Sequence, residues 1–253
     1  MEEIAALLRA AGCVFAEEEA ALLVAAAGNE AGLDALVARR AGGEPLEYVL
    51  GWAEFHGLRI AVEPGVFVPR RRTEFLVAQA IQVAGPAPVV VDLCCGTGAI
   101  GAAVAAAVPG AELYAADIDP AAVRCARRNV PGRVFEGDLF SALPRELRGR
   151  VTLLLANVPY VPADAIATMP PEARLYEPRT ALHGGDDGLD VLRRVAAAAP
   201  AWLAPGGHLF VETSEHQAPA ATGIFARAGL TPAVTTSEDL GATVLRGTSR
   251  VNE

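Results

Sequence analysis

Residues 89–101 read "VVVDLCCGTGAIG". The run "VVVDL" carries apolar side chains at four of its five positions, with no polar–apolar alternation. Such a strand is buried on both faces, as strands of parallel sheets are. Small residues at Gly96 and Gly98 follow at once, and "GAIGAAVAAAVPG" then reads as a helix. Working outward, the alternation repeats. "ELYAAD" is a strand and "DPAAVRCARRNV" a helix; "RVFEGD" and "VTLLLAN" are strands; "GGHLFVET" is a strand, with a helix around "PAATGIFARAG". Strands alternating with helices predict an α/β, doubly wound, Rossmann-like sheet whose ligands bind at the carboxyl ends of the strands.

Four of those strand ends carry polar or glycine-rich punctuation. At "CCGTG", Gly96 and Gly98 let a ligand approach the backbone, and the helix that follows offers free N–H groups. The turn is not the GxGxxG dinucleotide fingerprint, and it lacks the lysine of a phosphate-binding loop. Asp117 closes the next strand about 20 residues later, where a carboxylate accepts both ribose hydroxyls of an adenosine. Asp119 reads as the N-cap of the following helix, with Pro120 at its first position. Asp138 lies just past "RVFEG", where an acid can accept from an adenine amino group. The fourth end is "LLLANVPY", in which Asn157, Val158, Pro159 and Tyr160 terminate an apolar run.

Composition narrows the function classes. The chain has 253 residues, 52% of them hydrophobic, which suffices for a large core. A net charge of -9 argues against a broad basic surface for nucleic acid. All 21 basic residues are arginines, which fits GC-rich coding bias. Cys13, Cys94, Cys95 and Cys125 show no disulfide or metal spacing, and the four histidines are scattered. Reduced thiols, no metal and a cytoplasmic location are expected. The opening "MEEIAALLRAAG" has acids where a signal peptide needs positive charge, and no apolar run is long enough for a membrane.

Before the sheet, residues 1–50 read as an alanine-rich helical unit. Residues 51–75 read as a linker whose centre, "WAEFHG" then "LRIAVE", is a hairpin turning at His56 and Gly57. Residues 76–253 read as the Rossmann-like domain. Thr73 is placed to cap the helix that begins there. Arg70, Arg71 and Arg72 read as a solvated charge run, and "GGDDGLD" as a helix N-cap.

The ordered series of glycine turn, ribose acid, adenine acid and Asn-x-Pro-Tyr resembles the Rossmann-like methyltransferases that use S-adenosyl-L-methionine. "GGEPLEYVLGWAEFHGL", "FVPRRRTEFLV", "YEPRTALHGGDDGLDVLRRV" and "LAPGGHLFVETSEHQ" resemble, more narrowly, the HemK/PrmC family. Its members are protein-(glutamine-N5) methyltransferases of peptide chain release factors. The match runs from about residue 43 to 217. The sequence departs from the pattern in four places. Val158 replaces a proline, "VETSEHQ" stands for Glu-Ile-Gly, "DLGATVLRG" lacks the usual arginine spacing, and Cys94 and Cys95 occupy the glycine turn. These departures point to a divergent paralogue.

The resemblance implies a donor site built from Asp92, Cys94, Cys95, Gly96, Thr97, Gly98, Asp117, Asp138, Leu139 and Asn157, with Thr73 and Glu74 as further candidates. It implies an acceptor site of Asn157, Val158, Pro159 and Tyr160. An amide nitrogen is a poor nucleophile because its lone pair is delocalised. Acceptors on its two N–H bonds hold it in line with the donor methyl and favour a localised lone pair. The Asn157 side-chain oxygen would be one acceptor and the Val158 carbonyl the other, with Tyr160 packed on the flat amide. The expected substrate is the Gly-Gly-Gln loop of a release factor, docked by the N-terminal helices, with the enzyme a monomer. The alternatives are another protein, a nucleobase amine or a small-molecule nitrogen.

Overall fold

A computed structural model describes residues 1–251. Three helices open the chain, α1 (Glu2–Ala10), α2 (Ala16–Ala26) and α3 (Glu30–Ala41), followed by the short α4 (Leu46–Leu50). Asn29 caps α3 by accepting from the Gly32 N–H at 2.8 Å. Leu8, Ala20, Leu23, Val37 and Val49 close a small core of their own. Beside it Arg40 is buried and satisfied by Glu19, with Nε–Oε2 at 2.6 Å.

Strands β1 (Trp52–Phe55) and β2 (Leu58–Ala61) form the expected hairpin. His56 and Gly57 both take positive φ, +49° and +75°, as a two-residue turn of the favoured hand requires. Phe55 and Ile60 are buried in one cluster with Leu76, Ile100 and Phe210, so the hairpin packs into the sheet's core. Helix α5 (Glu74–Gln82) follows. Thr73 does not cap it: its backbone is already helical, and its hydroxyl donates to Glu212 at 2.6 Å instead.

The main unit runs β3 (Val89–Leu93), α6 (Ala99–Ala107), β4 (Glu112–Asp117), α7 (Pro120–Asn129), β5 (Arg133–Glu136) and β6 (Val151–Ala156). Then come α8 (Pro171–Tyr176), α9 (Arg179–Leu182), α10 (Asp190–Ala198), β7 (Leu203–Thr213), α11 (Ala218–Arg227), β8 (Thr231–Ser237) and β9 (Ala242–Thr248). The seven strands lie in the order β5-β4-β3-β6-β7-β9-β8. β9 is antiparallel to both its neighbours, whereas β3 to β7 are parallel. The Asp119 side chain caps α7 by accepting from Ala121 N–H at 2.8 Å, with Pro120 at N1. Successive side chains of the central strands enter opposite cores: Val91, Leu154 and Leu209 on one face, Val90, Leu155 and Phe210 on the other.

Candidate active site

Register places the site. Leu93 pairs with Ala116 on one side and with Ala156 on the other. The next residues, Cys94, Asp117 and Asn157, therefore sit side by side where the three strands end. Strand order reverses between β3 and β6, so this is also the switch point of the sheet. A cavity of about 680 Å³ opens over it.

Residues 94–97 line that cavity, as do Asp117 and Asn157, Val158, Pro159 and Tyr160. The glycine loop is tightly folded: Cys95 N–H donates to Ala116 O at 3.1 Å and Gly98 N–H to Cys95 O at 2.7 Å. Cys94 adopts φ +54°, a conformation glycine takes freely and other residues at a cost of about 1–2 kcal/mol. Burial pushes both Cys94 and Cys95 thiols up, so neither is a ready nucleophile. Gly96 leaves bare backbone toward the cavity, for a Cβ there would meet nothing within 4 Å.

Asp117 braces the loop it faces. Its Oδ2 accepts from Gly96 N–H at 2.8 Å and its Oδ1 from Asp119 N–H at 2.9 Å. A carboxylate has about four lone-pair sites, so these two amides do not exhaust its capacity to accept. Burial raises its pKa, partly offset by the amides of Asp119 and Gly96.

Four expected donor residues stand behind or away from the wall. Gly98, at φ +78°, packs on α7, where an added Cβ would come within 2.4 Å of Val130 Cγ2. Asp138 is ion-paired through Oδ2 to Arg194 at 2.5 Å, and neither it nor Leu139 beside it lines the cavity. Asp92 is fully buried; its Oδ2 accepts from Gly101 N–H at 2.9 Å, and its Oδ1 has no partner among the described residues. Of the two linker candidates, Thr73 lines the cavity, whereas Glu74 accepts from the His56 N–H at 3.0 Å.

Burial pushes the Asp92 carboxyl up to about 7, the Gly101 amide holding it down and Asp117 adding to the rise. A carboxyl raised above its unfolded value stabilises the fold fully at low pH and loses that contribution as pH rises through the folded value. The donor-free protein is therefore expected to lose about 2–3 kcal/mol at this group between pH 5 and pH 8. Asp92→Asn should flatten that part of the profile. Thermal melts at both pH values check it, and equal slopes in both proteins would rule out ionisation of Asp92 in this window.

The Asn157 carboxamide forms no hydrogen bond with any described residue, and the Val158 carbonyl accepts none from the described backbone or side chains. The Val158 side chain is 1% exposed, packed into the core, so only its backbone serves the cavity. The "GGDDG" segment buttresses this turn. Gly184 and Gly188 approach the carbonyls of Pro159 and Tyr160 so closely that a Cβ on either would fall 2.6 and 2.3 Å from them. Gln217 Nε2 bridges Tyr160 O at 3.0 Å and Asp187 O at 2.9 Å. Asp187 also takes the Leu189 N–H at the start of α10.

The arginine run is solvated in part: Arg71 and Arg72 are exposed, yet Arg70 and Arg72 both hold partners. Arg70 grips the buried Glu177 at 2.6 Å, and Arg72 reaches Glu212 at 3.1 Å and the Tyr160 hydroxyl at 2.8 Å. Glu177, Glu212, Gln217 and Asn129 are the supporting residues that sequence reasoning missed. Asn129 ties the hairpin to the glycine loop, donating to both Ala61 O and Thr97 O at 2.9 Å. The available signal was an acid or amide in the middle of an apolar context, as Glu212 is in "LFVETS".

A bare-backbone loop, a carboxylate at the end of the neighbouring strand and an unpartnered carboxamide around one cavity fit S-adenosylmethionine, the donor of the class of methyltransferases to which the fold belongs. The family described as Methyltransferase small domain matches residues 57–229. A release factor glutamine methyltransferase of Geobacter sulfurreducens is 41% identical over 211 residues, 81% of this chain and 73% of the relative. One from Streptomyces coelicolor is 40% identical over 189 residues, covering 72% and 67%. A 4-amino-L-phenylalanine/4-methylamino-L-phenylalanine methyltransferase of Streptomyces pristinaespiralis is 38% identical over 203 residues, covering 76% and 69%. The fold matches a methyltransferase from Pyrococcus furiosus with TM-score 0.59 at 15% identity, over 77% of this chain and 90% of that one. The chain belongs to the HemK/PrmC family of methyltransferases.

Proposed function

We propose that this enzyme methylates the side-chain amide nitrogen of the glutamine in the Gly-Gly-Gln loop of a peptide chain release factor. The observation that carries the reading is the adjacent pair of free acceptors, Asn157 Oδ1 and Val158 O, in a cavity wall one strand away from the donor loop. When bound, S-adenosylmethionine supplies an electrophilic sulfonium methyl. Asp117 and the loop at residues 94–97 hold the donor in this reading, while Asn157 and Val158 each accept one N–H of the substrate amide and turn its nitrogen lone pair toward the methyl. The pair suits a primary amide, which has two N–H bonds in one plane.

The helical unit α1–α4 is the proposed docking surface. Val14 and Phe15, between α1 and α2, are 83% and 66% exposed, and a short loop alone buries too little area to select one glutamine among many. Release factors work in the cytoplasm, and the enzyme is assigned there. Among the described residues no helix is long and apolar enough to cross a membrane.

The likeness to the aminophenylalanine enzyme supports a second reading, an aromatic amine in the same cavity. One experiment separates them. Purified enzyme is incubated with labelled donor and either an intact release factor, the factor with its loop glutamine replaced, or 4-amino-L-phenylalanine. Label on the loop glutamine of the intact factor only is expected. Label on the amino acid and none on the factor would overturn the proposal and leave the donor chemistry standing.

A further inference from the structure

Glu212, next to last in β7, is 2% exposed, yet its carboxylate takes three donors. Thr73 Oγ1 reaches Oε2 at 2.6 Å; Arg72 Nε and the Tyr160 hydroxyl reach Oε1 at 3.1 and 2.9 Å. Arg72 Nη2 donates in turn to the Tyr160 oxygen at 2.8 Å. The Tyr160 hydroxyl thus donates to Glu212 and accepts from Arg72, while its main-chain carbonyl is held by Gln217. The ring is pinned at both ends.

Arg72 and Tyr160 line the active-site cavity and also a second hollow of about 430 Å³ on the far side, bounded by Glu212, Glu215, Glu238 and the start of β9. The guanidinium and the ring are therefore a partition between two spaces. A ring in that place has room to swing away from the acceptor unless something holds its hydroxyl. We infer that Glu212 is a positioning residue for the transfer: with Arg72 and Thr73 from the linker, it fixes the Tyr160 ring against the acceptor group and keeps it out of the second hollow.

A carboxylate present only to neutralise Arg72 would need no third donor from the cavity wall. Burial, followed by the nearby Glu212 charge, pushes the Tyr160 hydroxyl up, so it stays a proton donor throughout the physiological range. Glu212 acts through the ring rather than on the donor. Its loss should therefore lower kcat by disordering the acceptor and leave donor affinity alone. The clamp rests on the proposed function only for the identity of the acceptor.

The test is a double-mutant cycle of Glu212→Gln with Tyr160→Phe. Glu212→Gln alone should lower kcat by about 10–100-fold, the scale of losing a partner that orients a working side chain. Donor Kd by calorimetry should stay within about twofold, the scatter of uncoupled sites. In the Tyr160→Phe background the same change should add less than about twofold. Equal losses in both backgrounds would overturn the inference. Should Glu212→Gln fail to fold by thermal melt, Arg72→Gln, whose side chain is 47% exposed, replaces it in the cycle with the same expectations. A second readout needs no substrate. Protein labelled with 3-fluorotyrosine carries four tyrosines, and the fluorine resonance missing from Tyr160→Phe is that of Tyr160. Glu212→Gln should shift that resonance, and an unmoved line would also overturn the clamp. A wild-type enzyme that leaves the release factor unlabelled would sink the proposed substrate, with the fluorine spectrum still deciding on Glu212.

Discussion

Asn157→Ala is expected to cut turnover by about 10²–10³-fold, the loss that follows removal of one preorganised polar group aimed at the reacting centre. The carboxamide forms no hydrogen bond within the described protein, so its removal breaks nothing in the fold and leaves stability unchanged. Donor affinity should fall far less, because Asp117 and the glycine loop remain. Val158→Pro is the companion variant. The Val158 side chain is buried in the core, the carbonyl persists in any residue, and Pro159 already biases this position toward extended backbone. It is expected to retain activity. Steady-state kinetics with the same acceptor decide both, and near-normal turnover in Asn157→Ala would return the residue to a plain turn.

The second large effect is on binding. Asp117→Ala should weaken the donor by about 2–4 kcal/mol, since a charged acceptor for two hydroxyls is lost. That corresponds to roughly 30- to 1,000-fold in Kd. Part of this loss is indirect, for the same carboxylate holds the Gly96 and Asp119 amides at 2.8 and 2.9 Å. Asp117→Asn, which keeps one acceptor oxygen, should fall between wild type and alanine. Calorimetric titration with S-adenosylmethionine and with its demethylated product checks the series. Unchanged affinity in the alanine variant would remove Asp117 from the site.

The parts of this site that were legible in the sequence are those set by local pattern. Largely apolar runs between helical segments reveal the parallel strands, and register alone then brings Cys94, Asp117 and Asn157 together. The hairpin turn at His56 and Gly57 and the cap at Asp119 were equally local. What stayed hidden was set by distance in the chain. Asp138 looks like a free loop acid until Arg194 arrives from α10. Thr73 has the chemistry of a helix cap, and only the fold shows that a buried carboxylate 139 positions away claims its hydroxyl. The arginine run has no visible partners in sequence, because Glu177 and Glu212 lie more than a hundred residues on. β8 is hidden in the sequence for a different reason. "TPAVTTS" is threonine-rich and largely exposed at the sheet's edge, so it carries no buried-strand signature.

The order of the last three strands bears on how the protein is made. During synthesis β7 emerges first and β8 next, yet β7's partner in the sheet is β9, which pairs His208–Thr213 with residues 243–248. Until Thr248 has left the ribosome, one edge of β7 has no strand to bond, and the nascent chain carries an open edge through which it can pair with other chains. That edge includes the segment bearing Glu212. The growing polypeptide can thus acquire its glycine loop and its carboxamide turn well before it has a finished tyrosine wall, and its aggregation hazard is concentrated in the interval between.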